Sequence, residues 1–361
     1  MNALSISDFE KYFRELHGHP PYSWQQRLAE RAVAGAWPGA IDLPTGSGKT
    51  ACIDIAIFAL ACQAPPSSIE RTASTRVFFC VNRRVIVGEA YQRSREIAKK
   101  ILEAEQDESP DTPILCKVAT ALRGLTGCTL EDDAPPLDVL ELRGGIYRDN
   151  RWARSATQPT IVCTTIDQLG SRLLFRGYGV TDNAAPIQAA LIAYDSLILL
   201  DEAHISRPFL QTLQNVRRYL DPEKWAECSL GVKPVLVVPM TATPPEGVDA
   251  QDVIHLVEKD RENKSLNKRL TASKPAKLSV KSIVSGAVEA ANKLAKGKPT
   301  AVGVIVNRVA TAHVKGPVCP TVFAMRCCRP SWPNKWRTCR MTSSCISSPP
   351  ITAAPDPSPR W

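Results

Sequence analysis

A chain of 361 residues, 44% of them hydrophobic, is long enough for two ordinary domains with buried cores, which excludes a wholly disordered protein. Its net charge of +9 and pI near 9.0 suit a polyanionic partner without identifying one. The opening MNALSISDFEKYFRELHG lacks the basic start and apolar core of a secretion signal, and no long apolar run follows, so the expectation is a soluble, cytoplasmic protein with no membrane span.

From Asp8 to about Met240, short β-rich runs alternate with helical stretches, the pattern of a parallel sheet covered on both faces. The predicted strands are Ala40–Leu43, Arg76–Val81, Thr160–Cys163, Ser196–Leu200 and Pro234–Pro239. The predicted helices are Thr50–Gln63, Gly88–Ala104 and Phe209–Tyr219. Such crossovers put the loops after the strands along one sheet edge, where ligands of open α/β folds bind. Gln106–Pro136, rich in Asp, Glu, Pro and Gly, reads as inserted loops, with Glu131–Asp133 a solvated acidic run. The charged, poorly patterned Glu258–Lys277 reads as a linker. Ser282–Ala295 has helical periodicity and Thr300–Val306 is a buried-strand run, as if a second α/β unit begins. From about His313 the chain is dense in Pro, Cys, Ser, Arg and Trp with no sustained period, which predicts an irregular tail of the kind a shifted reading frame produces.

The 12 cysteines are expected to be mostly free thiols, with Cys52, Cys62, Cys80 and Cys163 serving as small hydrophobes inside apolar runs. Five more, Cys319, Cys327, Cys328, Cys339 and Cys345, lack the paired spacing of a zinc site.

Three segments carry chemistry. In Ile41–Thr50 (IDLPTGSGKT) a strand, a glycine-bearing loop and a helix start follow one another. Gly46 and Gly48 let Thr45, Ser47 and their neighbours turn backbone N–H groups towards phosphate oxygens, at the positive end of the following helix. Lys49 then reaches the β- and γ-phosphates and Thr50 offers a hydroxyl to Mg²⁺. Leu43 stands where the common pattern has glycine. In Leu197–His204 (LILLDEAH) a buried strand ends in two acids, which is costly unless they meet a cation. Asp201 suits Mg²⁺, Glu202 the attacking water, and His204 a link to a neighbouring domain. Met240–Pro245 (MTATPP) offers the hydroxyls of Thr241 and Thr243 to the acidic box.

LPTGSGKT, LLDEAH and MTATPP, in that order, resemble motifs I, II and III of superfamily 2 helicases. Tyr22–Arg31 (YSWQQRLAER), Cys80–Arg84 (CVNRR), Leu142–Gly145 (LRGG) and Thr164–Arg172 (TTIDQLGSR) resemble most the CRISPR-associated helicase of type I interference systems. The resemblance implies a RecA-like P-loop NTPase domain over residues 1–250, a charged linker at 251–280, the start of a second RecA-like domain at 281–312 and an irregular tail at 313–361. It further implies that Gln25, or its neighbour Gln26, reads adenine. Arg83, Arg143, Gly144, Thr164, Thr165 and Gln168 would line a groove for single-stranded DNA. ATP and Mg²⁺ are the implied cofactors and a CRISPR surveillance complex the implied partner. The Gln-Arg-Gly-Arg motif expected late in the second domain, which supplies an arginine finger, does not occur in the sequence, and neither does a His-Asp nuclease pair. Hydrolysis coupled to movement is therefore expected to be impaired. The alternatives are another DEAH-type or restriction-type translocase, or a non-catalytic fragment that binds nucleotide and DNA.

Overall fold

The computed structural model describes residues 4–64, 71–106, 113–127, 134–145, 149–220, 233–242, 248–273, 276, 278, 280 and 282–294, with the backbones of Val302–Val306 and Phe323–Cys327. The chain forms two compact units, Met1–Ser273 and Lys274–Trp361.

The first unit is built on seven parallel strands: β1 Ala40–Asp42, β2 Arg76–Val81, β3 Asp138–Leu142, β4 Thr160–Thr165, β5 Ser196–Asp201, β6 Leu236–Thr241 and β7 Val253–His255. Their order across the sheet is β3-β4-β2-β5-β6-β1-β7. The central strands have apolar middles, with polar residues such as Arg76, Thr160 and Ser196 at their ends, because helices cover both faces. Every residue of β2 and β4 is buried.

One face carries α1 (Phe9–His17), α2 (Ser23–Val33), α3 (Cys52–Cys62), α4 (Arg84–Glu105) and α5 (Ile114–Thr126), packed with β-strand side chains such as Val77 and Ile161. α3 is apolar all round except at Asp54 and is buried from Cys52 to Ala61, as a helix enclosed by neighbours should be. The other face carries α6 (Ile166–Leu173), α7 (Ala185–Ala193) and α8 (Arg207–Tyr219). Because all seven strands run one way, their carboxyl ends lie along a single edge. The first five predicted strands are present, and β4, β5 and β6 run one to two residues further than expected.

Two strands, β3 and β7, and the helices α1, α2, α5, α6 and α7 were not among the predicted elements. β3 (DVLEL) interleaves acids with apolar residues, so it lacks the continuous apolar run of a buried strand, and β7 has three residues. Within Gln106–Pro136, expected to be loops, α5 buries Ile114, Leu115, Val118, Ala119 and Leu122 at helical spacing. Each buried Ile, Leu or Val contributes about 1.5–3 kcal/mol, which outweighs the turn-forming composition around it. Glu131–Asp133 lies outside the described residues.

The expected linker is also partly folded. β7 is followed by α9 (Glu258–Arg261) and α10 (Lys264–Leu270), both inside the first unit. Asn263 caps α10 through Ser265 N–H at 3.1 Å and Leu266 N–H at 3.0 Å, and Leu266 is fully buried. Asp260, also fully buried, pairs with Arg27 of α2 through two hydrogen bonds of 3.3 and 2.9 Å. Charge concealed this segment because its polar residues serve as caps and anchors.

In the second unit, α11 (Ile283–Leu294) and β8 (Val302–Val306) are the helix and strand expected there. β9 (Phe323–Cys327) pairs with β8 in parallel, placing a strand where an irregular tail was expected. The rest of 313–361 lies outside the described residues, as do the side chains of all five tail cysteines. Cys52, Cys62, Cys80, Cys116 and Cys163 are free thiols. Burial pushes the Cys62 and Cys163 thiols up to about 12 and raises Cys52 and Cys80 as well, so these behave as small hydrophobes. No helix among the described residues is long and apolar enough to cross a membrane.

Candidate nucleotide and nucleic-acid edge

β1 ends at Asp42 and the chain turns through Leu43–Gly48 before Lys49–Ala51 begin the helical run that α3 continues. Gly46 and Gly48 both have φ of +87°, a conformation that a side chain strains. A Cβ on Gly48 would also stand 3.2 Å from Gln25 Nε2, so a side chain there would press on Gln25 as well as strain the backbone. Two residues of α2 fix the loop. Trp24 Nε1 donates to Ser47 O at 3.1 Å, and Gln25 Nε2 donates to Gly48 O at 3.4 Å while its Oε1 accepts from Tyr22 N–H at 2.8 Å. Gln25 is buried against the loop. Gln26 instead points to Glu30, which resolves which glutamine meets the P-loop. Ser47 is buried with its hydroxyl on Pro44 O at 2.7 Å, and Lys49 Nζ donates to Leu43 O at 3.0 Å. Thr45 and Thr50 complete the loop at its partly exposed rim.

The acidic box follows β5, one strand removed from β1. Burial raises the Asp201 carboxyl above its ordinary range, Lys49 pulls it down, and Asp201 Oδ1 is enclosed without a hydrogen bond. A buried anionic oxygen left without a donor is what a hard cation fits, and Thr50 and Asp201 are the residues able to hold one. Glu202 has φ of +52°, a left-handed backbone that is uncommon for glutamate and costs about 1–2 kcal/mol. His204 Nδ1 lies 3.1 Å from Thr241 Oγ1 and 3.5 Å from Glu202 Oε2.

Thr241, fully buried at the end of β6, joins the two loops. Its carbonyl accepts from Leu43 N–H at 3.1 Å and its hydroxyl meets His204. β6 lies between β1 and β5, so one residue touches the strand end that enters the P-loop and the acidic box together. Thr243 lies outside the described residues.

The remaining expected residues occupy the other half of the edge. Arg83 is exposed at the start of α4, and the neighbouring Arg84 guanidinium lies over Gly144, 2.8 Å from where a Cβ would stand. Arg143 pairs with Glu141 at 2.5 Å. Thr164 and Thr165 are buried, with Thr164 Oγ1 donating to Thr165 O at 3.2 Å, and the Gln168 side chain accepts from Arg172 at 2.7 Å. A ligand along this edge meets Arg83, Arg84 and the Gly144–Gly145 backbone before it meets either threonine hydroxyl.

The edge thus divides in two. β5, β6 and β1 carry the phosphate loop and the acids, while β3, β4 and β2 carry arginines and a glycine pair, and the halves meet where β2 pairs with β5. Residues that sequence reasoning missed include Trp24, one position before Gln25, and a buried group behind the P-loop. There, fully buried Asp54 Oδ2 accepts from Arg93 Nη2 and lies 3.1 Å from His17 Nε2. A lone acid in the all-apolar α3 was the available signal.

A parallel α/β sheet with a phosphate loop on one strand, paired acids on the next strand but one, and a threonine bridging them defines a P-loop NTPase of the helicase type. The family described as the type III restriction enzyme res subunit matches residues 19–246, more than half of the sequence, and the chain belongs to that family. It is accordingly a superfamily 2 protein with a RecA-like ATP-binding domain. Comparison with curated proteins gives no significant match. Among solved structures, the chain is similar to the yeast DEAD-box splicing factor Prp28, at 16% identity with a TM-score of 0.40, over 84% of this chain. It spans 58% of the length of that structure.

Proposed function

We propose that this chain is the ATPase core of a DNA helicase or translocase acting in CRISPR interference. The observation that carries the nucleotide part is the convergence of Lys49, Asp201 and Thr241 on one sheet edge, with Asp201 Oδ1 buried and unpartnered. The P-loop backbone and Lys49 bind the triphosphate, and Gln25, seated on Gly48, reads the base. Thr50 and Asp201 would hold Mg²⁺, which supplies charge neutralisation at the phosphates when bound. Glu202 orients the attacking water and takes up its proton. His204 and Thr241 transmit the state of the acidic box to the β1 loop, because a shift of either changes the bond between them. Arg83, Arg143, Gly144 and the Thr164–Gln168 segment receive single-stranded DNA along the adjoining half of the edge, chiefly through phosphate contacts. The CRISPR role rests on the sequence resemblance of YSWQQRLAER, CVNRR, LRGG and TTIDQLGSR.

The test is ATP turnover by the full chain with and without single-stranded DNA, beside Lys49→Ala. The expected result is turnover that DNA raises and the variant lacks. A second reading is a nucleotide- and DNA-binding fragment, and nucleotide binding without DNA-responsive turnover selects it. Turnover untouched by Lys49→Ala refutes both. Stimulation by a CRISPR surveillance complex, or its absence, separates the interference role from that of another translocase.

A further inference from the structure

We infer that Arg269, on the helix that follows the last strand of the first unit, is a nucleotide-contacting residue that binds the sugar-proximal phosphates from the side opposite the acidic box. The inference rests on the nucleotide-site reading above and extends it to a segment that the P-loop motif does not include.

Arg269 sits near the end of α10. Its Nη1 donates to Gly46 O at 3.4 Å, and it is exposed. Among the described residues it forms no ion pair with a carboxylate. The helix that carries it is anchored, since Leu266 is fully buried one turn earlier and Asn263 caps its first turn, while Asp260 of the preceding α9 is locked to Arg27. The packed helix therefore places Arg269 beside the loop, and the bond to Gly46 O directs its guanidinium there.

Arg269 also walls a cavity of about 390 Å³ together with Tyr22, Gln25, Gly48, Thr50 and Arg93. That cavity adjoins the end of the P-loop where the helix begins and where Gln25 is seated, which is where a base and sugar leave the phosphates. A cationic fork in this wall, in no ion pair among the described residues, faces the place where the nucleotide-site reading puts an anion, and charge-assisted pairing with phosphate is the chemistry it suits.

Its side of the sheet decides which phosphates it meets. The strand order is β5-β6-β1-β7, so the acids lie on the β6 side of the P-loop, while α10 follows β7 on the other side. The γ-phosphate has to approach Glu202 for water attack. Arg269 therefore reaches the α/β end and does not distinguish ATP from ADP.

The test is equilibrium binding of fluorescent ATP and ADP analogues to the full chain carrying Arg269→Ala, with Lys268→Ala as a charge-matched control on the same helix and Lys49→Ala as the marker of the nucleotide site. Arg269→Ala is expected to weaken ATP and ADP alike by roughly tenfold, the usual size of a lost charge-assisted bond. Lys268→Ala is expected to leave both unchanged. Affinities unaltered by Arg269→Ala, a loss confined to ATP, or an equal loss from Lys268→Ala each overturn the inference. If Lys49→Ala also leaves binding intact, the nucleotide-site reading itself has failed, an outcome distinct from failure at Arg269 alone. Arg269→Ala is at the surface of a helix, and an unchanged thermal midpoint confirms that it folds.

Discussion

Replacing Asp54 by alanine tests whether the buried group behind the P-loop holds the first unit together. The carboxylate is fully buried, one turn into α3, and accepts from Arg93 of α4 and contacts His17 of α1 at 3.1 Å. Its removal leaves a guanidinium and an imidazole facing a void, with His17 Nε2, 3.2 Å from Arg93 Nη2, able to accept from it only in the tautomer that leaves that nitrogen bare. Losing one partner of a buried pair costs about 3–5 kcal/mol. Arg93 is one-third exposed at its side chain and regains some hydration, which lowers the expectation to about 2–3 kcal/mol. Asp54 Oδ1 has no partner, so Asp54→Asn, which keeps an acceptor of the same shape, should lose less than alanine does. The assay is urea unfolding followed by circular dichroism, with Arg93→Ala and the double variant completing a cycle. A loss under about 0.5 kcal/mol for Asp54→Ala, or additive single effects, refutes the argument that the three residues act as one unit.

Gly48→Ala should abolish detectable nucleotide binding while costing about 1–2 kcal/mol of stability, because the residue needs φ of +87° and its Cβ would press on Gln25; binding titration and urea unfolding check the two effects. Thr241→Val removes the hydroxyl that meets His204 but keeps the carbonyl that holds Leu43, so turnover is expected to fall about tenfold with nucleotide affinity within twofold, read from steady-state kinetics beside binding. Asp260→Ala frees α9 from the Arg27 side-chain pairing, and is expected to destabilise the first unit by about 2–4 kcal/mol, measured by urea unfolding. Chelation of divalent cations should stop turnover, and restoring Mg²⁺ should recover it, whereas Asp201→Asn should not recover at the same cation concentration.

The sheet was legible wherever burial was two-sided. β2, β4, β5 and β6 each have an unbroken apolar stretch at their centre, so their positions followed from the sequence, and the motifs at their ends fell on one edge because parallel strands must place them there. β3 and β7 were missed for the same reason in reverse, as short strands at the two margins with acids or a histidine among their residues. α5 was hidden by the composition of the loops around it, and α9 and α10 by polar residues that anchor and cap them, Asp260 and Asn263. At the site, Lys49, Asp201 and Thr241 could be named from motif order alone. The choice between Gln25 and Gln26 could not, since both lie on α2 and only the packing of Tyr22 and Gly48 separates them. Arg269 gave no signal either, because its proximity to Gly46 spans 223 residues of chain.

The central claim is that the loop between β1 and α3 binds a nucleoside triphosphate with help from the acids at the end of β5. Isothermal titration of Mg²⁺–ATP into the full chain and into Lys49→Ala tests it most directly. The account predicts saturable binding at one site by the unmodified chain and a loss of at least a hundredfold in the variant, since a charge-assisted lysine–phosphate contact and the cation it neighbours both suffer. Equal binding by the two proteins would contradict it.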